Sequence, residues 1–288
     1  MRPAATSATI LVVQGPEASA PRVLALAELC GAAPPEAVAR GDNPFAWRLR
    51  GAQRREGVAA WCEAHRVDHA WVPESRRFGD CKLLAMDMDS TLITIESIDE
   101  MGEALGIRER IATVTAAAMH GEIDYPESLR RRVGLLAGLE EQALERILEE
   151  RVHLSPGAEA LVARCREYGI RTLLVSGGFS FFTRHLQDLL KLDFTLSNEL
   201  EIAGGRLTGR ILGEIVDGRA KAAKLVAVRQ SLGVAREQTL AVGDGANDIP
   251  MMAEAGISVA YRAKPVVREH ATHALDHAQL DGVLNLFV

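Results

Sequence analysis

The sequence predicts an α/β protein with a Rossmann-like parallel sheet at its centre, and three observations support this prediction. Short apolar segments recur along the chain, and most are followed by a segment with apolar residues at helical spacing. Several of the apolar segments end in acidic residues or glycines, as strands do at the ligand crevice of an open parallel sheet. A long helical stretch follows the first of these strands and predicts an inserted cap. A smaller α/β unit precedes the parallel-sheet region and its cap in the sequence.

The first 78 residues form this smaller N-terminal α/β domain. Apolar or alternating segments predict strands, and two segments with helical spacing predict helices between them. Breaks containing proline or glycine, at 32–35 and 41–44, separate these elements. The predicted order is strand 9–13, helix 21–30, strand 46–50, helix 56–65 and strand 69–72. The region carries no chemical motif, so a regulatory or dimerising module and a purely structural appendage both fit it.

Residues 79–288 form the larger predicted domain, which opens with strand 83–87. The segment that follows has apolar residues at helical spacing and short breaks that contain glycine. This pattern predicts a helical bundle at about 94–154, inserted after the first strand and acting as a lid. Its predicted helices are 98–105, 108–119, 126–136 and 140–153.

Strand and helix alternation then resumes, which predicts a parallel sheet covered by helices on both faces. Gly204 and Gly205 stand between two alternating segments, so residues 199–207 are predicted to form a hairpin. The other predicted elements are helix 158–168, strand 170–175, helix 181–190, helix 219–232, strand 239–242, helix 248–255 and strand 257–260.

The composition excludes several classes of protein. With 48% hydrophobic and 25% charged residues, the chain has the composition of a globular protein. A net charge of -6 with scattered Lys and Arg argues against nucleic acid as the main partner. No apolar run approaches a membrane span, and the burst at 10–13 is too short for a secretion signal. The four cysteines include no C-x-x-C pair, which favours reduced thiols in the cytoplasm over disulfides or zinc.

Asp87 and Asp89, directly after the apolar segment 83–86, are the most informative residues of the chain. Two carboxylates this close at the end of a buried strand repel each other and lose hydration. Such an arrangement is costly unless a cation or a reaction requires it. Taken alone, the pair is also explained by one helix cap and one solvated turn residue.

Three further motifs make that alternative untenable. Ser176-Gly177-Gly178 ends a second apolar strand, where a hydroxyl and glycines suit a phosphate oxygen. Lys221 lies on a predicted helix, and the segment 243–248, Gly-Asp-Gly-Ala-Asn-Asp, ends a third apolar strand. Helix caps and tight turns do not explain why three strands all carry polar, ligand-capable residues at the same end.

In type and order, these motifs resemble those of the haloacid dehalogenase (HAD) superfamily of phosphotransferases. With Glu96 and the segment 128–133, Ser-Leu-Arg-Arg-Arg-Val, they resemble more closely the phosphoserine phosphatase family within it. Members of that family carry a helical cap after the first motif. Residues 1–78 resemble less closely the small regulatory, ACT-like domains that precede this catalytic domain in some bacterial members.

The resemblance implies Mg²⁺-dependent hydrolysis of O-phospho-L-serine through an aspartyl-phosphate, the last step of L-serine biosynthesis. Asp87 would be the nucleophile and Asp89 the general acid and base. Glu96 would face the amino group of the substrate and Arg132 its carboxylate. The resemblance also implies phosphate or substrate contacts for Ser176, Gly177, Lys221 and Asn247. It further implies that Mg²⁺ is bound by the side chains of Asp87 and Asp244, by the backbone carbonyl of Asp89, and by Asp248 through a water.

Other interpretations remain open at this stage. A related phosphatase or phosphotransferase acting on another phosphorylated amino alcohol, such as phosphohomoserine, would carry the same motifs. A non-catalytic amino-acid sensor would keep the fold, although it would not need an acid beside the nucleophile. The expected partner is a small-molecule substrate, with no nucleic acid or membrane partner. A homodimer through the N-terminal domain stays open.

Overall fold

A computed structural model of the protein describes residues 8–38 and 45–288, and the strands within them form two sheets. The smaller sheet has the order β2-β3-β1-β4 with antiparallel neighbours. Its β-α-β-β-α-β chain order is that of a split βαβ unit. The predicted break at 41–44 lies outside the described residues. The elements are β1 (Thr9–Gln14), α1 (Ala20–Cys30), β2 (Glu36–Ala37), β3 (Ala46–Leu49), α2 (Val58–Ala64) and β4 (Asp68–Pro73).

Both faces of the small sheet pack against apolar residues. Leu11 and Val13 face α1 and α2, where they join a buried cluster with Leu26. Ile10 and Val12 point the other way and belong to the main core of the protein. Because successive strand residues alternate between faces, burial on both sides explains why β1 is a continuous apolar run.

Polar contacts tie the small sheet to the C-terminal segment. The buried Asp68 carboxylate accepts hydrogen bonds from the backbone N–H groups of Asp276, His277 and Ala278, at 2.7–3.3 Å. The Asn285 amide donates to Gln14 Oε1 at 2.8 Å, and both side chains are buried. The N-terminal domain is therefore docked on the rest of the protein through buried, hydrogen-bonded polar groups.

The larger sheet has seven strands within the described residues, in the order β11-β10-β9-β5-β6-β7-β8. All neighbouring pairs are parallel except β7 and β8, which form a hairpin around Gly204 and Gly205 at φ 59° and 73°. The predicted parallel core is confirmed, with an antiparallel edge strand. The elements are β5 (Leu83–Met86), α7 (Ala158–Glu167), β6 (Arg171–Phe179), α8 (Ser180–Leu190), β7 (Phe194–Ala203), β8 (Arg206–Leu212), α9 (Gly218–Ser231), β9 (Thr239–Gly243), α10 (Ile249–Ala253), β10 (Ile257–Tyr261), α11 (Pro265–His270) and β11 (His273–Leu275).

A helical cap is inserted between β5 and α7. Ile93 and Leu154 pair as an isolated antiparallel bridge, and the Thr94 N–H donates to the His153 carbonyl at 3.0 Å. This short ladder closes the base of the insertion, and α5 packs on β8 of the hairpin. The cap helices are α3 (Ser97–Ala104), α4 (Arg108–Met119), α5 (Tyr125–Leu135) and α6 (Glu141–Glu150).

The sequence predicts no element after the strand at 257–260. This part of the chain forms α11 and β11 and ends in a buried 3₁₀ segment, Leu280–Leu286. These pieces are too short for a periodic apolar pattern to identify them. β11 packs against β4, and the 3₁₀ segment packs against β1 and α7, whereas α11 packs on α10 and β10.

The state of the cysteines and the length of the helices can be compared with two predictions made from composition, reduced thiols and no membrane span. Cys30, Cys62, Cys81 and Cys165 are buried free thiols. Burial raises the pKa of Cys62 and of Cys165 to about 12, so both remain protonated thiols at neutral pH. Within residues 8–38 and 45–288, no helix has the length and apolar character that crossing a bilayer requires.

We expect His273 to make the stability of the protein depend on pH. Arg76 Nη1 donates to His273 Nε2 at 2.7 Å, and burial together with the Arg76 charge lowers the pKa of His273 from 6.5 to about 4. The unfolded chain therefore binds more protons between these pH values, and stability falls as the pH falls through this range. We will compare the free energy of unfolding, measured by urea titration, at pH 7 and at pH 5. Between these pH values it should fall by about 1–2 kcal/mol less in His273→Gln than in the original chain. Equal losses would contradict the assignment.

Candidate active site

The candidate site lies at the carboxyl end of β5. This strand lies between β6 and β9. Strands β7 and β8 follow on the β6 side of the sheet, and strands β10 and β11 follow on the β9 side. Met86 is in register with Leu174 of β6 and with Val242 of β9. Residues that follow these positions therefore emerge at one edge of the sheet, at the switch point where open parallel sheets bind ligands.

The turn after β5 fixes the first acidic residues. Asp87 Oδ1 accepts the Met88 N–H at 2.7 Å, and Ser90 takes a left-handed conformation with φ 55°. Such a conformation is uncommon outside glycine and often marks functional sites. Ser90 Oγ donates to Glu96 Oε1 at 2.6 Å, so the turn also orients the exposed Glu96 at the start of the cap.

Lys221 supplies the positive charge at the centre of the site. Its side chain is fully buried, and Nζ lies 2.8 Å from Asp87 Oδ1 and 2.7 Å from Asp248 Oδ1. Burial alone would lower the pKa of Lys221, but the Asp248 and Asp87 carboxylates outweigh it and raise this pKa. Lys221 therefore stays charged and holds two carboxylates together.

Three carboxylates form an oxygen cluster that can hold a metal ion. One oxygen each of Asp87, Asp244 and Asp248 lie within 4.8 Å of one another. Burial and then the Asp248 charge raise the pKa of Asp244 to about 7, and the same two causes raise the pKa of Asp87 well above its usual range. A donor set made only of carboxylate oxygens, with more negative charge than Lys221 balances, fits a hard divalent cation.

Asp89 lies beside this cluster and has a different environment. Its carboxylate accepts the Ser97 N–H at 3.1 Å and the Ser97 hydroxyl at 3.0 Å. Burial, followed by the charge of Glu96, raises the pKa of Asp89 to about 8. A carboxyl group with this pKa carries a proton at neutral pH and can donate it to a leaving group. A side chain at Gly178 would place its Cβ 2.7 Å from Asp89 Oδ2, so only glycine fits there.

The irregular part of β6 between Val175 and Phe179 offers a site for anionic oxygens. Ser176 is fully buried, and its Oγ accepts the Gly178 N–H at 2.8 Å. Because the hydroxyl accepts this bond, its own proton can be donated to an anion. The Gly177 carbonyl in turn accepts the Asn198 amide at 2.8 Å, and Asn198 Oδ1 accepts the Val216 N–H at 2.8 Å. No motif in the sequence points to Asn198.

Cap and core together enclose a cavity of about 700 Å³ above these groups. Lys221 and Asp248 lie behind its wall, fully buried. Arg132 points into the cavity from α5, with its Nε donating to the Ser128 carbonyl at 3.4 Å. Tyr125, also from α5, lines the cavity and was not singled out by sequence patterns. The other residues predicted for the site line the cavity: Asp87, Asp89, Glu96, Ser176, Gly177, Asp244 and Asn247.

Comparison with known proteins identifies the family. Residues 84–253 match the family model described as haloacid dehalogenase-like hydrolase, which is more than half of the chain. The chain belongs to this family. The matched region begins in β5 and ends in α10, so it includes the three strand ends and the whole cap.

Individual relatives agree with this assignment. A curated protein named phosphoserine phosphatase, from Polaromonas sp., is 49% identical over 73% of this chain and 91% of its own length. A crystal structure described as a probable phosphoserine phosphatase from Vibrio cholerae superposes with a TM-score of 0.82 at 36% identity, covering 97% of this chain and 86% of that one. A HAD family hydrolase from Salmonella enterica serovar Typhi superposes with a TM-score of 0.86 at 29% identity, covering 97% and 98%.

Proposed function

We propose that the protein hydrolyses O-phospho-L-serine to L-serine and phosphate with the help of Mg²⁺, as the last step of L-serine biosynthesis. The observation that carries the proposal is a single cavity lined by an acid pair, Asp87 and Asp89, and by opposite charges on the cap, Glu96 and Arg132. Phosphoserine presents a phosphate, an ammonium and a carboxylate, which these three groups of side chains complement. Relatives named phosphoserine phosphatase support the same substrate.

Asp87 is the nucleophile in this proposal. Both of its hydrogen-bonded or ionic contacts, to the Met88 N–H and to Lys221 Nζ, involve Oδ1. We therefore assign the attack on phosphorus to Oδ2, which forms an aspartyl-phosphate as the serine oxygen leaves. The Ser176 hydroxyl and the Gly177 N–H hold phosphate oxygens, and the Lys221 charge stabilises the transition state. Asn247, on the cavity wall, is a further contact for the phosphate or the substrate.

Asp89 acts first as the general acid and then as the general base in this proposal. It gives its proton to the serine oxygen as the ester bond breaks, because a serine alkoxide is a poor leaving group. The resulting Asp89 carboxylate then takes a proton from the water that hydrolyses the aspartyl-phosphate. The raised pKa of Asp89, about 8, supports the first of these roles. Its hydrogen bonds to Ser97 hold the carboxyl in place for both.

The cation site belongs to the same proposal. Asp87 and Asp244 would hold Mg²⁺ through their side chains and Asp89 through its backbone carbonyl, while Asp248 would hold a coordinated water. A bound Mg²⁺ neutralises the repulsion between these carboxylates and the phosphate. The three-carboxylate cluster supports this assignment, since Mg²⁺ prefers few carboxylates together with phosphate and water oxygens.

The first experiment measures phosphate release from L-phosphoserine, phosphothreonine and phosphohomoserine, each with Mg²⁺ and with EDTA. We expect Mg²⁺-dependent turnover that favours phosphoserine, and a loss of at least about a thousandfold in Asp87→Asn. Comparable or better turnover of phosphohomoserine would keep the chemistry but replace the substrate. Absence of turnover on all three substrates, with Mg²⁺ bound, would favour an amino-acid sensor.

Arg132→Met tests recognition of the substrate carboxylate. Loss of a charge-assisted contact should reduce kcat/KM for phosphoserine about 10- to 100-fold. The same variant should change kcat/KM for phosphoethanolamine, which lacks the carboxylate, much less. Arg131→Met is the matched control, because Arg131 is exposed and pairs with Glu127 on the outer face of the same helix. Equal losses with both substrates would show that Arg132 does not bind the carboxylate.

Asp89→Asn tests the two-step mechanism. With p-nitrophenyl phosphate, whose leaving group needs no protonation, the variant should still form the aspartyl-phosphate but hydrolyse it slowly. Rapid mixing should then show a burst of about one p-nitrophenolate per chain, and mass spectrometry should find phosphate on the peptide that contains Asp87. Steady release without a burst, or phosphate on no peptide, would be incompatible with a covalent intermediate that Asp89 helps to hydrolyse.

A further inference from the structure

Tyr125 joins the cap to the irregular part of β6 between Val175 and Phe179. Its hydroxyl donates to the Gly177 carbonyl at 3.3 Å, across the cavity between cap and core. A Cβ at residue 177 would collide with this hydroxyl, so the phenol lies directly against the glycine backbone. Burial raises the pKa of Tyr125 to about 12, and the phenol is therefore a donor throughout the neutral range.

The backbone of Tyr125 is well fixed. Tyr125 is the first residue of α5, and Asp124 caps this helix by accepting the Glu127 N–H at 2.8 Å. Pro126 follows in the first turn, where its fixed φ favours the helix. The cap and Pro126 fix the backbone of Tyr125 at the start of α5, so a displacement of α5 carries this residue with it.

The Gly177 carbonyl belongs to a peptide unit that connects the cap with the Ser176 hydroxyl. It accepts one hydrogen bond from the core, donated by Asn198, and one from the cap, donated by Tyr125. The N–H of the same peptide unit belongs to Gly178 and donates to Ser176 Oγ. Rotation of this peptide plane would therefore shift the bond that orients the Ser176 hydroxyl.

We propose that the Tyr125 hydroxyl is a positioning group that holds the cap closed and couples closure to the orientation of Ser176. Tyr125 acts through the Gly177–Gly178 peptide and does not itself touch the reacting atoms. With the cap displaced, the Gly177 carbonyl keeps the Asn198 bond alone, and this part of β6 loses one of the two hydrogen bonds to that carbonyl. The role in catalysis rests on the proposed phosphatase function, whereas the contact between cap and core does not.

Tyr125→Phe removes the hydroxyl and keeps the ring. Loss of one neutral hydrogen bond should raise KM for phosphoserine about 2- to 10-fold, and kcat should change less than about twofold. Amide hydrogen exchange without substrate should become faster in α5 peptides. Tyr168→Phe is the matched control, because Tyr168 is half exposed, follows α7 and lies outside the cavity. A lower melting temperature of Tyr125→Phe with unchanged KM would show a merely structural role and overturn the proposal.

A double-mutant cycle tests the path through Ser176. If Tyr125 acts on this hydroxyl, the KM effect of Tyr125→Phe should shrink in a Ser176→Ala background. An effect of the same size in both backgrounds would overturn the coupling. Should the original chain not hydrolyse phosphoserine, the exchange measurement still decides the contact: faster α5 exchange in Tyr125→Phe supports it, and unchanged exchange rejects it.

Discussion

The bridge from Lys221 to Asp87 and Asp248 is the interaction on which the rest of the site depends. All three side chains are buried, and each nitrogen–oxygen distance is 2.8 Å or less. Removing one partner of a buried ion pair typically costs about 3–5 kcal/mol, because a charge is left without compensation. The geometry depends on where α9 begins, since Asp217 caps that helix and places Lys221 in its first turns.

The two acids that follow β5 have different charged neighbours. Asp87 faces Lys221, whereas Asp89 faces Ser97 and the charge of Glu96. The Lys221 charge favours the charged form of Asp87 and opposes the rise of its pKa, whereas the Glu96 charge adds to the rise of the Asp89 pKa. A nucleophile and a proton donor can therefore stand two residues apart on one turn. The cap contributes to this difference, because Ser97 and Glu96 belong to its first helix and its N-cap.

The N-terminal domain is part of the packed structure. Its sheet contributes Ile10 and Val12 to the main core, and Asp68 binds three backbone N–H groups near the C-terminus. A ligand or a second subunit would meet the outer surface, such as α1, where Leu24 and Leu29 are exposed. The small sheet contacts β11 and the C-terminal segment, and its last strand leads into β5, which carries Asp87 at its end. A regulatory or dimerising role of this domain stays a prediction.

The sequence by itself determined most of the strands and helices up to β10, the cap insertion and the acidic strand ends, because periodicity and strand-end chemistry are local properties. It did not place the hairpin in the main sheet, because that depends on the pairing of β7 with β6, and it did not predict the elements after β10, because they are too short for a periodic apolar pattern. Tertiary structure alone decided that Asn198 and Tyr125 meet at the Gly177 carbonyl. These contacts join β6, β7 and a cap helix, and their geometry exists only once the chain has folded.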